Sequence, residues 1–254
     1  MAGHSHWASI KHKKALVDAR RGKLWSKLSK AIIVAARLGG GDPDMNPRLR
    51  DAIEDAKSAG MPKENIIRAI KRGTGELEGE GNLESVVYEG YGPGGVAVLC
   101  EVLTDNRNRT APEIRKIFEL SDGKLGQSGS VAWMFESKGV FWIAQDKAQE
   151  DTLMEIALEA GADDVRREGD KFCILCEPTV FRTLRDKLQA AGIEVESQKV
   201  TLMPKTTMDI TDPDIARKVL KLMDRLDDHD DVQNVASNFN IPDQIMAQLA
   251  KEEE

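Results

Sequence analysis

A chain of 254 residues, 41% hydrophobic and 31% charged, is long enough for two or three domains that each bury a core. Its longest apolar run near the start, AIIVAA (Ala31 to Ala36), is far too short to cross a bilayer, and no secretory leader or small-residue cleavage site is visible. The net charge of −7 is unevenly held: residues 1–72 carry 16 Lys and Arg against 7 Asp and Glu, and the remainder carries 20 against 36. Such polarity points to one surface for a polyanion, and the missing leader and sparse cysteines lead us to expect a cytoplasmic protein with no membrane and no small-molecule substrate as partner.

The first stretch, GHSHWASIKHKK, crowds His4, His6, Trp7, Lys11, His12, Lys13 and Lys14 together. Three histidines raise the question of a transition metal, but no nearby carboxylate or thiol completes a ligand set, and the cations that follow oppose one. Lysine suits phosphate, and flat aromatic rings suit unpaired bases. A helix is predicted next, with Leu24, Leu28, Ala31, Ile32 and Ala35 on one face. Arg20, Lys23, Lys27, Lys30 and Arg37 fall on an adjacent face as a basic stripe. GGGDP ends this helix.

A second helix begins with Asn46 as N-cap and Pro47 in the first turn, and buries Leu49, Ala52, Ile53 and Ala56. A third starts at Pro62, buries Ile66, Ile67 and Ile70, and ends near Gly73. This pair has the outline of a DNA-reading helix-turn-helix, an outline that any compact helical hairpin shares. A polar linker, GTGELEGEGNLE, follows.

Strands come next. SVVYEGYGPGGVAVLCEVL reads as two strands about a Gly/Pro turn, with its tyrosines candidates for contact. TDNRNRT places Arg107 and Arg109 at a strand-to-helix junction, where backbone donors already favour anions, so both are candidates to touch nucleic acid or a partner domain. Thr110 and Glu113 have capping-box spacing and predict the helix start there, and GSVAWMF predicts a further strand.

From Gly139 a β-α-β unit occurs twice, its helices ending at Gly161 and Gly192, which is a ferredoxin-like plan. CILC has the spacing of a metal knuckle or redox pair but lacks a second pair. In a strand, residues three apart face opposite ways, so Cys173 and Cys176 are expected to be buried structural thiols, as is Cys100. A last strand, helix and strand fill Thr206 to Asn238. The chain carries no nucleophile elbow, zincin motif or phosphate-binding loop, so no catalytic residue, metal or cofactor is assigned.

Taken in order, GHSHWASIKHKK, GGGDPDMNPRLR, MPKENIIRAIKRGTGE, YEGYGPGGVAV, LTDNRNRT and GSVAWMFE resemble the YebC/PmpR family of probable bacterial transcriptional regulators, which is related to mitochondrial activators of cytochrome oxidase translation. The family pattern has Lys where this chain has His6. The resemblance implies an α+β chain of three domains: a helical bundle and two ferredoxin-like α/β domains, one inserted in the other. The expected boundaries are 1–78 (basic helical), 79–136 with 205–240 (middle), 137–204 (inserted) and 241–254 (helical tail). It also implies a non-enzymatic DNA-binding regulator or, alternatively, a ribosome-associated RNA-binding translation factor. On either reading, Lys11, Lys13, Lys14, Arg20, Arg21, Lys23 and Lys27 are expected to carry most phosphate affinity, with Lys30 in the same stripe and the histidines and Trp7 as base contacts.

Overall fold

A computed structural model describes residues 18–77 and 83–252. Its N-terminal region is helical: α1 spans Asp18–Gly39, α2 Pro47–Ser58 and α3 Lys63–Gly73. Asn46 fixes the first corner as the sequence predicts. Its Oδ1 accepts the Leu49 N–H at 3.1 Å, while its Nδ2 donates to the carbonyls of Ala35 at 2.9 Å and Gly40 at 2.8 Å. One buried amide therefore starts α2 and closes the end of α1. Ile32, Ile33, Leu49, Ile53, Ile66 and Ala69 lie in the core between these helices.

Two residues expected in that core are largely outside it. Ile67 is 41% exposed because the buried line on α3 runs Ile66, Ala69, Gly73, and Ile67 lies a hundred degrees round the helix. Leu24 is exposed at the start of α1, where Trp25 and Leu28 pack instead. Gly73 is where α3 meets α1 most closely, since a Cβ there would lie 2.6 Å from both Ala36 Cβ and the Ile33 carbonyl.

The middle domain is a four-stranded antiparallel sheet of order β3-β1-β2-β9, formed by β1 (Glu84–Tyr91), β2 (Ala97–Thr104), β3 (Lys124–Leu125) and β9 (Val232–Ser237). Helices α4 (Arg107–Glu119), α7 (Pro213–Asp227) and α8 (Asp243–Glu252) belong to it. Alternation along β2 sends Val98, Cys100 and Val102 toward Ile114, Phe118, Val219 and Leu222 of the helices. It sends Ala97 and Leu99 the other way, onto Val131, Phe135 and Ala236. A sheet covered on both faces explains why this strand is nearly continuous in apolar residues. The short strands β8 (Met208–Asp209) and β10 (Phe239–Asn240) form a separate parallel pair.

Between β3 and β9 in the chain lies a second antiparallel sheet of order β5-β6-β4-β7. Its strands are β4 (Phe135–Ala144), β5 (Asp164–Glu168), β6 (Lys171–Cys176) and β7 (Ser197–Pro204), with α5 (Glu150–Ala160) and α6 (Phe181–Ala190) packed on one face. Cys176 points into that helical face and Cys173 into the opposite cluster with Val140 and Leu175, as the strand period requires. All three cysteines are free and buried, and burial pushes the Cys176 thiol up to about 11.

The structure corrects two local expectations. Helix α4 starts at Arg107, not Thr110: Asn106 is the N-cap, its Oδ1 accepting the Arg109 N–H at 3.1 Å. Thr110 sits inside the helix because its hydroxyl has a buried partner described below. Likewise GSVAWMF is not one strand, for Ala132–Met134 form a 3-10 turn before β4 begins at Phe135. The Gly/Pro turn between β1 and β2 falls where predicted, through Pro93–Gly95; Tyr88 is buried beside it and Tyr91 is 41% exposed.

Because the α1–α3 crossing admits no side chain at Gly73, Gly73→Ala should destabilise the helical domain by about 1–3 kcal/mol. Hydrogen exchange should speed up in α1 and α3 and stay unchanged in β4 to β7. Unaltered protection in α1 and α3 would contradict the crossing described.

Candidate nucleic-acid interface

Lys23, Lys27 and Lys30 recur along α1 at helical spacing and so share a face. That face meets the acidic turn between α7 and β9. Lys23 Nζ donates to the Asp228 carbonyl at 3.0 Å, and Lys27 Nζ donates to the Asp227 carbonyl with the Asp227 carboxylate at 3.6 Å. Lys30 Nζ donates to the Asp230 carbonyl at 3.1 Å and to Asp231 Oδ1 at 2.6 Å. The carbonyls at a helix C-terminus lack helical partners and carry the negative end of its dipole, so the end of α7 is a ready acceptor for ammonium groups.

Asp231 is the centre of this contact. It is 3% exposed, and its Oδ2 accepts from Thr110 Oγ1 at 2.7 Å, Arg109 Nη2 at 2.8 Å and Thr104 Oγ1 at 3.1 Å. Burial pushes its carboxyl up, but hydrogen bonds from Lys30, Thr110 and Arg109 outweigh that and hold it well below the usual carboxylate range. Arg109 also pairs with Asp105 at 3.0 Å. His229 completes the turn: its Nδ1 accepts the Asp231 N–H at 3.1 Å, and Nε2 lies 3.0 Å from Glu113 Oε2.

Four candidates from the sequence, Lys23, Lys27, Lys30 and Arg109, are therefore brought together by one acidic turn. Arg107 stays exposed in the first turn of α4, close enough for its charge to oppose the upward shift that burial imposes on the Tyr88 phenol. Arg20 and Arg21 lie on α1, and nothing is described of their side chains. His4, His6, Trp7, Lys11, His12, Lys13 and Lys14 lie outside the described residues.

Sequence reasoning missed Asp231, whose signal was the run DDHDD at 227–231. It also missed Arg68 and Arg72, which line a shallow cleft of about 140 Å³ with Ser29 and Asn65 between α1 and α3. A larger cleft of about 710 Å³ separates α2 from α6, where Arg185 pairs with Glu54 at 2.7 Å and Asp51 at 3.6 Å. Its lining mixes both signs of charge, so it offers nothing selective for an anion. Among the described residues no cluster of three His, Cys, Asp or Glu side chains is placed to hold a metal, and no helix is long and apolar enough to cross a membrane.

Fold and charge together define an α+β protein in which a basic helical domain is tied by ion pairs to a body of two separate antiparallel sheets. Residues 5–76 match the family model described as the TACO1/YebC protein N-terminal domain, and residues 83–239 match the TACO1/YebC second and third domain. The chain belongs to this TACO1/YebC family of gene-expression regulators, which is not a family of enzymes. A relative from Halothermothrix orenii is 55% identical over 99% of this chain and 100% of its own length, and one from Desulfatibacillum aliphaticivorans is 54% identical over 98% and 100%. Both are named "Probable transcriptional regulatory protein". The crystal structure of a conserved hypothetical protein from Aquifex aeolicus superposes with a TM-score of 0.84 at 51% identity, covering 93% of this chain and 97% of that one.

The depressed carboxyl of Asp231 gives a signed prediction. Its stabilisation is complete above the unfolded-state value of about 4 and is lost as pH falls from there toward the folded-state value. Asp231→Asn should cost on the order of 3 kcal/mol at neutral pH, since it strands Lys30 and Arg109, the latter half-exposed and so partly compensated by water. Denaturant unfolding of the two proteins should converge below about pH 4. A gap that stays constant with pH would refute this assignment.

Proposed function

We propose that this chain regulates gene expression in the cytoplasm by binding nucleic acid through its N-terminal segment and the start of α1. A DNA-binding transcriptional regulator is the first reading, supported by the names its relatives carry. The observation that carries nucleic-acid binding is the charge polarity, 16 cations against 7 acids in residues 1–72 of an otherwise acidic chain. Lys11, Lys13, Lys14, Arg20 and Arg21 supply the primary phosphate contacts, with His4, His6, Trp7 and His12 against bases and Arg107 as a flanking cation. Lys23, Lys27 and Lys30 hold the helical domain to the body, Arg109 braces the acidic turn from within the body, and all four take phosphate only where the polyanion displaces Asp227 to Asp231.

The inward use of those lysines favours a second reading, a ribosome-associated RNA-binding translation factor. A helix whose basic face is covered does not lie along a duplex groove, whereas a basic stretch of sequence carrying Trp7 and three histidines suits irregular RNA. We assign the domains as 1–78, 79–136 with 205–240, 137–204 and a tail at 241–254. The β-α-β-β-α-β succession with order β5-β6-β4-β7 supports a ferredoxin-like label for the inserted domain. The middle sheet begins with a hairpin and has another order, which argues against that label there.

Reversing Lys11, Lys13, Lys14, Arg20 and Arg21 to Glu should weaken binding alike on all sequences. The slope of log affinity against log salt should fall by roughly 0.9 per lost contact on duplex DNA or 0.7 on single strands. Unchanged affinity would sink the proposal. In-cell crosslinking decides between the readings: promoter peaks support the first, and enrichment at ribosomal RNA without them supports the second.

A further inference from the structure

The loop between β3 and β4 is built on a buried carboxylate. Glu89, 4% exposed on β1, accepts the N–H groups of Gly129 at 2.6 Å, Val131 at 2.8 Å and Ala132 at 2.8 Å. Burial pushes its carboxyl up, but these three donors outweigh it and keep the group ionised. The loop is tight as well as tied, since a Cβ on Gly126 would lie 2.6 Å from Ser130 Oγ. What this rigid loop presents is aromatic. Trp133 is 68% exposed and Tyr91 41% exposed, and both use their polar edges on one carbonyl. Trp133 Nε1 donates to Ser130 O at 3.2 Å and Tyr91 Oη donates to the same oxygen at 3.1 Å. The two rings are thus anchored by their polar edges on one oxygen, with their hydrogen-bonding atoms occupied and much of their surface open to water.

We propose that Tyr91 and Trp133 form a stacking platform for an unpaired nucleobase, a second contact point for the nucleic acid of the proposed function, on which this inference rests. Two cations flank it: Lys124 is exposed and lies opposite Tyr91 in the β1/β3 ladder, and Lys205 donates to the Trp133 carbonyl at 3.0 Å. A flat heterocycle carrying a phosphate fits rings bordered by ammonium groups. An apolar protein partner fits less well, because the exposed neighbours Gln127, Ser128 and Gly129 are polar or small. Rigidity adds to the fit, since a platform fixed before binding loses little freedom when a base settles on it.

The test uses the full-length protein and fluorescence anisotropy with three probes: a single-stranded oligoribonucleotide, the same strand with abasic positions, and a DNA duplex of the same sequence. Trp133→Leu keeps an apolar side chain at an exposed position but removes the stacking surface; near-ultraviolet circular dichroism and the unfolding midpoint establish that it folds. Wild type should bind the base-bearing strand more tightly than the abasic strand. In W133L that preference should shrink by roughly 5- to 150-fold, the range for one lost base–aromatic stack, with affinity for the duplex unchanged. A preference that survives W133L overturns the platform. If W133L binds as wild type does while the N-terminal charge-reversal variant loses binding, the platform falls and the proposed function stands. If wild type binds none of the three probes, both fall.

Discussion

One buried carboxylate holds this molecule in its shape. Asp231 ends the turn after α7, yet it receives hydrogen bonds from the end of β2 (Thr104), from α4 (Arg109 and Thr110) and from α1 of another domain (Lys30). Removing a carboxylate from water costs several kcal/mol, and only a near-complete set of charged and hydroxyl donors offsets that. The donors therefore cannot be exchanged one at a time. Together they fix three elements, β2, α4 and α1, and the Asp231 carbonyl ties β2 a second time by accepting the Leu103 N–H at 2.8 Å. Even the start of α4 follows from this arrangement. Thr110 must lie inside the helix to reach Asp231, which leaves Asn106 as the residue free to cap.

Glu89 plays a similar part elsewhere in the middle sheet, where its carboxylate gathers three backbone donors from the loop that leads into the inserted domain. The domains are thus built differently inside and between. Each has its own apolar cluster, one around Phe118 and Leu222, one around Phe141 and Leu184, and one around Ile32 and Leu49. The helical domain meets the others through charge: the α1 lysines on the turn at 227–231, and Asp51 and Glu54 on Arg185 of α6. Polar seams of this kind are weaker and more salt-sensitive than apolar ones, which makes motion of a domain against its neighbours the natural expectation.

What the sequence made legible divides along the same line. Elements held by local rules were readable: Asn46 and Pro47 at a helix start, the period-two placement of Cys173 and Cys176, the Gly/Pro turn before β2, and the paired β-α-β units. Elements held by distant partners were not. Thr110 and Glu113 have the spacing of a capping box, and nothing local reveals that Thr110 belongs to Asp231, 121 residues on. Lys27 and Lys30 look like a free basic stripe until the turn at 227–231 is folded against them, 200 residues away. Trp133 reads as a strand residue, whereas the three backbone donors that Glu89 gathers from Gly129, Val131 and Ala132 turn the chain and leave the ring outside.

Charge polarity along a sequence is therefore a weaker statement than charge polarity on a surface. Lys27 and Lys30 have only 14% of their side chains exposed, and a phosphate approaching them has to compete with carboxylate and carbonyl oxygens already in place, which act at full local concentration. An intramolecular acceptor enjoys an advantage in effective molarity that a dilute polyanion matches only through many simultaneous contacts. Within the basic run, the members reached by the acidic turn therefore serve first to set the orientation of the helical domain.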